Sequence, residues 1–192
     1  MIYLNQLEYP DMKYNHNMDD GGAPEGKDNV KAAGCGLCSL CMVVDQLTTK
    51  HLELADCVRL SEEKGANRRM GTNLRVLGPV IAEMYGLSYS NTNDPEAVKA
   101  CLQKGGRVVA NVGGDREGYI GLFSHIGHYI VLVSIDGSEV CILDPSRKEG
   151  KFDEEGREGK VRLGDPFVYC DMAHLVQDCA NRDPGFHLFT RA

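Results

Sequence analysis

Hydrophobic side chains in the first half of the chain recur at intervals of three and four residues, which is the spacing of amphipathic helices. The clearest run contains Leu37, Leu40, Cys41, Val44 and Leu47. The pattern predicts helices over residues 37–49, 51–65, 72–86 and 94–106. Thr72 and Asp94 precede the last two helices as expected N-caps, and Pro79 predicts a break or a restart within the third.

The second half of the chain changes to runs of β-branched and aromatic residues, which favour strands. The predicted strands cover residues 107–112, 128–135, 139–144 and 186–191, and a last helix covers 171–180. An Asp-Gly-Ser turn signal at 136–138 predicts a β-hairpin over 128–144. The segments 13–33 and 146–166 are predicted to be loops, the second a solvated loop or a short exposed hairpin. Helices followed by an antiparallel sheet indicate an α+β fold.

Length and charge narrow the choice of function. The chain of 192 residues suits a single domain, 1–192, and its net charge of −7 argues against nucleic-acid binding because phosphates would be repelled. The N-terminus lacks a signal-peptide pattern, and no segment approaches the roughly 20 apolar residues of a membrane span. We therefore expect a cytoplasmic protein without membrane insertion, in which most of the eight cysteines are free thiols.

Three cysteines at a spacing of three, Cys35, Cys38 and Cys41, allow more than one chemistry. An iron–sulfur motif would place its fourth cysteine at residue 45, which is Asp, and a structural zinc site would need a second ligand pair that is absent. Cys35 and Cys38 also form a C-x-x-C pair of the redox type, but no βαβ unit precedes them. We therefore predict no metal and no cofactor.

The third interpretation takes Cys35 as a nucleophile. Gly34 and Gly36 flank it, so the backbone there can turn sharply and stay open to a substrate. A helix begins at about this point, and its N-terminal N–H groups favour a thiolate and later an oxyanion. Cys38 and Cys41 then pack in the core.

A thiol nucleophile needs a base, a group that orients the base, and an oxyanion donor. His128 begins the first strand of the predicted hairpin, and Asp144 ends the second. Pairs across the predicted turn have residue numbers that sum to about 273, which places His128 near residue 145 and beside Asp144. The side-chain amide of Gln6 is a candidate oxyanion donor.

The motifs around Gln6, Cys35, His128 and Asp144, "AGCGLCSLCMVV", "GHYIVLV" and "LDP", resemble the papain-like cysteine peptidase superfamily. Within it, the chain is most similar to the branch of bacteriocin-leader (double-glycine) processing peptidases and their stand-alone relatives. The resemblance implies a papain-like fold, with the nucleophile at a helix N-terminus packed on a C-terminal antiparallel sheet. It implies Cys35 as nucleophile, His128 as general base, Asp144 as orienting group and Gln6 as oxyanion donor. Leu37 stands where relatives often have Pro, and no nucleotide-binding motif of an exporter is present.

The expected function is a cysteine hydrolase that cleaves a peptide or amide bond through a thioester, with acyl transfer as an open variant. The expected partner is a peptide or protein substrate. Two alternatives stay open at this point: a non-catalytic peptide-binding module on the same fold, and a thiol-redox protein that uses Cys35 and Cys38.

Overall fold

The computed structural model describes residues 1–14, 21–69 and 71–192. The 3₁₀ turn is Gln6–Glu8, and the helices are α1 Val30–Ala33, α2 Cys35–Leu47, α3 Leu54–Glu63, α4 Leu74–Tyr85, α5 Pro95–Gln103 and α6 Met172–Asp178. The strands are β1 Asn67–Arg68, β2 Gly71–Thr72, β3 Leu87–Thr92, β4 Arg107–Val112, β5 His128–Asp136, β6 Glu139–Leu143, β7 Val161–Leu163, β8 Phe167–Asp171 and β9 Phe186–Arg191. Of the helices in these ranges, none is both long enough and apolar enough for a membrane span.

The main sheet has seven antiparallel strands within the described residues, in the order β3-β9-β4-β5-β6-β8-β7. Its two faces bury separate clusters of apolar side chains. Val109 and Val131 lie on the face that packs against α2 and α4. Ile130 and Leu132 lie on the other face, which α5 and α6 cover. The structure is therefore α+β, with the helices on both sides of one sheet.

Helix α2 runs through the first cluster and is enclosed on nearly every side. Ten of its thirteen residues are buried, and it packs against α3, α4 and the strands β4 and β5. A helix at the protein surface would keep one polar face. Because α2 has no exposed face and is packed on nearly every side, its first residue, Cys35, is held in a defined position relative to the start of β5.

The long helices and the 128–144 hairpin agree with the sequence prediction, but two details of α4 do not. Its N-cap is Asn73, whose side chain accepts the Arg75 N–H, whereas Thr72 lies in β2 and hydrogen-bonds the Tyr14 hydroxyl. Pro79 does not break α4. Pro79 lies on the exposed side, so the helix loses one hydrogen bond there while its opposite side stays buried. The predicted cap at Asp94 is confirmed.

Several strands were missed because they are short or lack a clear alternation. β3 pairs with β9 at one edge of the sheet, and β7 and β8 extend the other edge beyond β6. The predicted loop 13–33 ends in helix α1, and its residues 15–20 lie outside the described residues. The hairpin register also differs from the predicted sum of 273, because Leu132 pairs with Ile142 and Ile135 with Val140.

A buried carboxylate holds the segment that leads into β5. Asp178, at the end of α6, accepts hydrogen bonds from the N–H groups of Leu122 and Phe123 and from the Tyr119 hydroxyl. Asp178 is fully buried, so these donors satisfy a charge that would otherwise be costly to bury. The segment that precedes His128 is thereby tied to the second apolar cluster.

Candidate active site

Cys35 is the first residue of α2 and is partly exposed, whereas Cys38 and Cys41 one turn apart on the same helix are fully buried. The flanking glycines serve close packing rather than the sharp turn that we expected. Gly34 has a φ of −88°, and a Cβ there would lie 2.4 Å from the Val30 side chain. A Cβ on Gly36 would lie 2.8 Å from the Leu74 side chain. Small residues on both sides therefore let α2 start deep in the structure.

His128 and Asp144 meet at the open end of the β5–β6 hairpin. The His128 Nε2–H donates to Asp144 Oδ1 at 2.8 Å, and both side chains are buried. His128 also lies beside the Cys35 thiol, and each of the two groups shifts the pKa of the other. Because Nε2 is occupied by Asp144, Nδ1 is the ring nitrogen that remains for the sulfur. The structure thus brings Cys35, His128 and Asp144 together in one line, in which His128 and Asp144 are hydrogen-bonded.

The electrostatics of this line favour separated charges. Burial opposes ionisation of the Cys35 thiol, but the contact with His128 and its positive charge outweigh burial and lower the pKa of Cys35. The backbone N–H groups of Gly36 and Tyr129 act on this pKa in the same direction. Burial likewise opposes the imidazolium, yet the contacts with Asp144 and Cys35 raise the pKa of His128. Both shifts act in the direction that favours a thiolate–imidazolium pair.

Asp144 has a second cationic partner that the sequence analysis missed. Lys151 Nζ donates to Asp144 Oδ2 at 2.6 Å and to the Ser146 carbonyl at 3.1 Å. The Ser146 N–H donates to Asp144 Oδ1 at 2.9 Å. Burial raises the pKa of the Asp144 carboxyl, but the Lys151 charge and the His128 contact outweigh it and hold that pKa far below its usual range. Asp144 is therefore an anion that two buried cations share.

The segment 146–166 is not the solvated loop that its charge predicted. Lys151, Phe152 and Arg157 are buried, and the Phe152 ring packs edge-on against Phe123 with 5.5 Å between centroids. Only its last part, β7, forms the exposed hairpin with β8 that was the other expectation. Phe152 stands in a run of charged residues and was the one sign in the sequence that part of this segment is buried. The cations of the segment can be buried because buried hydrogen-bond acceptors compensate them.

Arg157 illustrates that compensation. Its Nε donates to the Gly121 carbonyl at 2.7 Å and its Nη1 contacts a Glu154 carboxylate oxygen at 2.8 Å. The same Glu154 oxygen lies 2.8 Å from His125 Nε2, and His125 Nδ1 lies 2.8 Å from Asp115. Hydrogen bonds of Arg157 and His125 thus join the 146–166 segment to the 113–127 segment beside the site.

Gln6 lies in the 3₁₀ turn and reaches the same region. Its backbone N–H donates to the Pro145 carbonyl at 2.7 Å, which joins the N-terminus to the residue after Asp144. Its side-chain Nε2 donates to the Lys31 carbonyl at 2.7 Å. The side chain is buried and lines a cavity that Cys35 and His128 also line. An amide nitrogen carries two hydrogens, so one remains for a further acceptor.

Two cavities meet at Cys35 and His128. One, of about 770 Å³, extends past Gln6 and the 146–166 segment. The other, of about 540 Å³, extends past β2 and the start of α4 towards the β9 end of the sheet. Both are also lined by Ile126, whose side chain is 78% exposed. A cleft with the thiol at its middle suits an extended chain that passes on both sides of the sulfur.

The 540 Å³ cavity contains a second histidine that the sequence analysis did not single out. His187 is almost fully buried, and its Nδ1 accepts the Tyr89 hydroxyl at 2.8 Å. Burial, helped by the nearby Arg75 charge, lowers the pKa of His187 to about 4. His187 is therefore neutral at pH 7 and lines this cavity as a neutral polar group.

The redox alternative lacks support in this geometry. Burial raises the pKa of Cys38 well above that of an ordinary thiol, which makes it a poor partner for thiol exchange with Cys35. All eight cysteines are free thiols. Within residues 1–14, 21–69 and 71–192, no group of three His, Cys, Asp or Glu side chains is arranged to hold a metal ion.

Comparison with known proteins identifies the fold. No protein-family model matches the sequence, and no curated protein does. The structure aligns with the crystal structure of a proposed C39-like peptidase from Bacillus anthracis at a TM-score of 0.59 and 12% identity, over 100% of this chain and 94% of the other. It also aligns with a double glycine motif protease from an AMS/PCAT transporter, in complex with the leader peptide, at a TM-score of 0.46 and 17% identity, over 82% of this chain and 84% of the other. The chain has the α+β fold of the C39-like, papain-type cysteine peptidases.

Proposed function

We propose that this protein is a cysteine peptidase in which Cys35 is the nucleophile, His128 the general acid and base, Asp144 the orienting group and Gln6 an oxyanion donor. One observation carries the proposal: a partly exposed thiol with a lowered pKa lies beside a histidine that a buried carboxylate holds by a 2.8 Å hydrogen bond, at the middle of a two-sided cleft. Burying ionisable groups costs free energy, and titratable groups with shifted pKa values in a cleft are typical of functional sites.

In the first half of the reaction, the Cys35 thiolate attacks the carbonyl carbon of the scissile bond. A C–S bond forms, and the carbonyl electrons move onto oxygen. In this proposal the Gln6 amide and the Cys35 N–H donate to the oxyanion; Gln6 lines the same cavity as Cys35, and the Cys35 N–H lies in the first turn of α2 and has no intrahelical acceptor. The C–N bond then breaks as the His128 imidazolium gives its proton to the leaving amine, and a thioester remains.

In the second half, water attacks the thioester carbonyl and His128 accepts a proton from it. The tetrahedral intermediate collapses, the C–S bond breaks, and the carboxylic acid product leaves the regenerated thiolate–imidazolium pair. Asp144 keeps the His128 ring in one orientation throughout, because its Oδ1 accepts from Nε2 and leaves Nδ1 towards the sulfur. An amine in place of water would give acyl transfer by the same steps.

Lys151 has a positioning role in this proposal. Its contact at 2.6 Å ties Asp144 Oδ2 to the 146–166 segment, so that Oδ1 is the oxygen available to His128 and the Ser146 N–H. Its positive charge also keeps Asp144 ionised through the range in which His128 changes its protonation. The carboxylate therefore stays a hydrogen-bond acceptor and does not take the proton itself.

A screen against a peptide library tests the proposal. The wild-type protein should cleave a subset of peptides with product termini that mass spectrometry can assign, and Cys35→Ala should produce none of them. Cys38→Ala is the matched control, because Cys38 lies on the same helix but is buried, and it should retain turnover. A protein that binds peptides but cleaves none, with Cys35 as slow to alkylate as an ordinary thiol, would instead be a binding module.

A further inference from the structure

The charge of the cleft is opposite to that of the chain. The protein has a net charge of −7. Of the described residues that line the 770 Å³ cavity, five are basic and one is acidic, namely Lys27, Lys31, Lys148, Lys151, Arg157 and Glu154. Such an excess is the reverse of what the composition alone would place there, because acidic residues outnumber basic ones, 28 to 21. This side of the cleft is therefore selectively basic.

The 540 Å³ cavity on the other side of the thiol has the same sign. Its charged lining residues in the described ranges are Arg68, Arg75, Arg182 and Asp183. Asp183 is engaged with the Asn93 amide at 3.0 Å. A chain that passes Cys35 in either direction thus meets more basic than acidic side chains.

Some of these cations already have partners, and others do not. Lys151 is paired with Asp144, and Arg157 with Glu154. Four others are exposed and have no ion-pair partner among the residues that the structure describes: Lys27, Lys31, Arg68 and Arg75. Two of the four lie on each side of the thiol. The unpaired positive charge is therefore divided between both arms of the cleft.

We infer that the cleft accepts peptides with acidic side chains on both sides of the scissile bond. This inference rests on the proposed peptidase function and adds the substrate class. Lys27 and Lys31 meet carboxylates on the Gln6 side of the thiol, and Arg68 and Arg75 meet them on the His187 side. Each exposed pair adds little by itself, but several charges of one sign in a cleft focus the field and favour the encounter with an anionic chain.

Binding to an inactive variant tests the inference independently of turnover. Cys35→Ala protein is titrated against two fluorescein-labelled twelve-residue peptides of the same sequence, with four Glu residues in one and four Gln residues in the other, and anisotropy is recorded. Glu and Gln have nearly the same shape, so the comparison isolates charge. The Glu peptide should bind about tenfold more tightly at 50 mM salt, and the difference should fall within about twofold at 500 mM salt.

Paired substitutions then locate the effect. In the Cys35→Ala background, Lys27→Gln/Lys31→Gln and Arg68→Gln/Arg75→Gln should each weaken Glu-peptide binding about three- to tenfold and leave Gln-peptide binding within about twofold. Lys31→Gln keeps the backbone carbonyl that Gln6 uses. The control pair Lys64→Gln/Lys104→Gln removes two exposed lysines outside both cavities and should leave both affinities unchanged.

The outcomes separate this inference from the proposed function. Equal affinity for the Glu and Gln peptides, or an equal loss in the control pair, overturns the acidic-substrate inference even if the library screen finds cleavage. A preference for Glu that the two cleft pairs abolish supports it. If cleavage is absent from the library screen while that preference persists, the peptidase proposal fails and the basic cleft remains a site for acidic peptides.

Discussion

Asp144 contacts His128 from a position two residues along the hairpin rather than from directly across it. β6 ends at Leu143, which pairs with Val131, so that Asp144 continues the strand opposite Ile130. Residues two apart on a strand share a face, and His128 therefore lies diagonally from Asp144 on the same face. His128 Nε2 and Asp144 Oδ1 are 2.8 Å apart across this diagonal. Imidazole and carboxylate are long enough to span it.

This relationship depends on a β-bulge. Next to the turn, Ile135 pairs with Val140, and that register continued without interruption would place Asp144 on the opposite face from His128. The register shifts by one residue at Val133, and the shift restores the shared face. Bulges commonly re-aim side chains beside functional sites. The extra residue, Val133, lies nearer to the turn than to His128, but it decides whether the His128 imidazole has Asp144 as its partner.

We expect Cys35 to alkylate before every other thiol. Its pKa is lowered by His128, whereas burial raises the pKa of Cys141, the other partly exposed cysteine. Limiting iodoacetamide at pH 7 followed by peptide mass spectrometry measures the order of modification. His128→Ala should slow the labelling of Cys35 towards the rate of an ordinary thiol. Faster modification of Cys141 than of Cys35 would contradict the assignment of the nucleophile.

Gln6→Ala should lower kcat by roughly 10²–10³ with a smaller effect on KM, because an oxyanion donor acts on charge that develops only in the transition state. Iodoacetamide should still modify Cys35 at nearly the native rate, since alkylation builds no oxyanion at a carbonyl. Steady-state kinetics on a peptide from the library measure kcat and KM, and the iodoacetamide assay measures the rate of labelling of Cys35. Asn5, the N-cap of the 3₁₀ turn, is the alternative donor, and full turnover in Gln6→Ala would direct attention to it.

The pH dependence of kcat/KM should be bell-shaped. At low pH the Cys35 thiolate is protonated as the pH falls through its lowered pKa, and at high pH the His128 imidazolium is lost as the pH rises through its raised pKa. The active pair exists between the two values. Asp144→Asn should move the alkaline limb to lower pH, because the carboxylate is what raises the pKa of His128. If the alkaline limb does not move, Asp144 does not have the proposed role of orienting and charging His128.

Lys151→Met should move the same alkaline limb in the opposite direction, to higher pH. Removal of a positive charge next to Asp144 leaves His128 as the cation that this carboxylate stabilises. A merely structural role for Lys151 predicts a change in stability with no movement of the limb. Lys148→Met is the matched control, because Lys148 is an exposed lysine of the same segment with only a 3.8 Å contact to Glu154.

Asp144→Asn should reduce the free energy of unfolding at pH 7 by about 3–5 kcal/mol, because it leaves Lys151 buried without its counter-ion. Urea unfolding measures the loss. The pKa of Asp144 is lowered in the folded state, so the wild-type contribution is full above about pH 4 and is lost only as the pH falls through that lowered value. The double variant Asp144→Asn/Lys151→Met should be more stable than Asp144→Asn alone. Additive losses would show that the pair is not coupled.

Local patterns in the sequence were sufficient for the elements that bear the candidate site. The apolar spacing from Leu37 to Leu47 predicts α2, and the Asp-Gly turn predicts the hairpin that carries His128 and Asp144. Gln6, Cys35, His128 and Asp144, chosen as residue types at element boundaries, line or adjoin one cleft in the structure. Their catalytic roles remain a proposal.

The sequence by itself determined where helices α2 to α6 and strands β4, β5, β6 and β9 form and which residue types could act, because those signals depend on neighbours in the chain. The bulge at Val133, the burial of Lys151 against Asp144 and the neutral His187 were decided only by the tertiary structure. Each depends on a partner strand or a distant segment. The sequence around Lys151 does not reveal which carboxylate the lysine will contact. Burying an ion pair costs little free energy only when the rest of the fold supplies its hydrogen-bond partners.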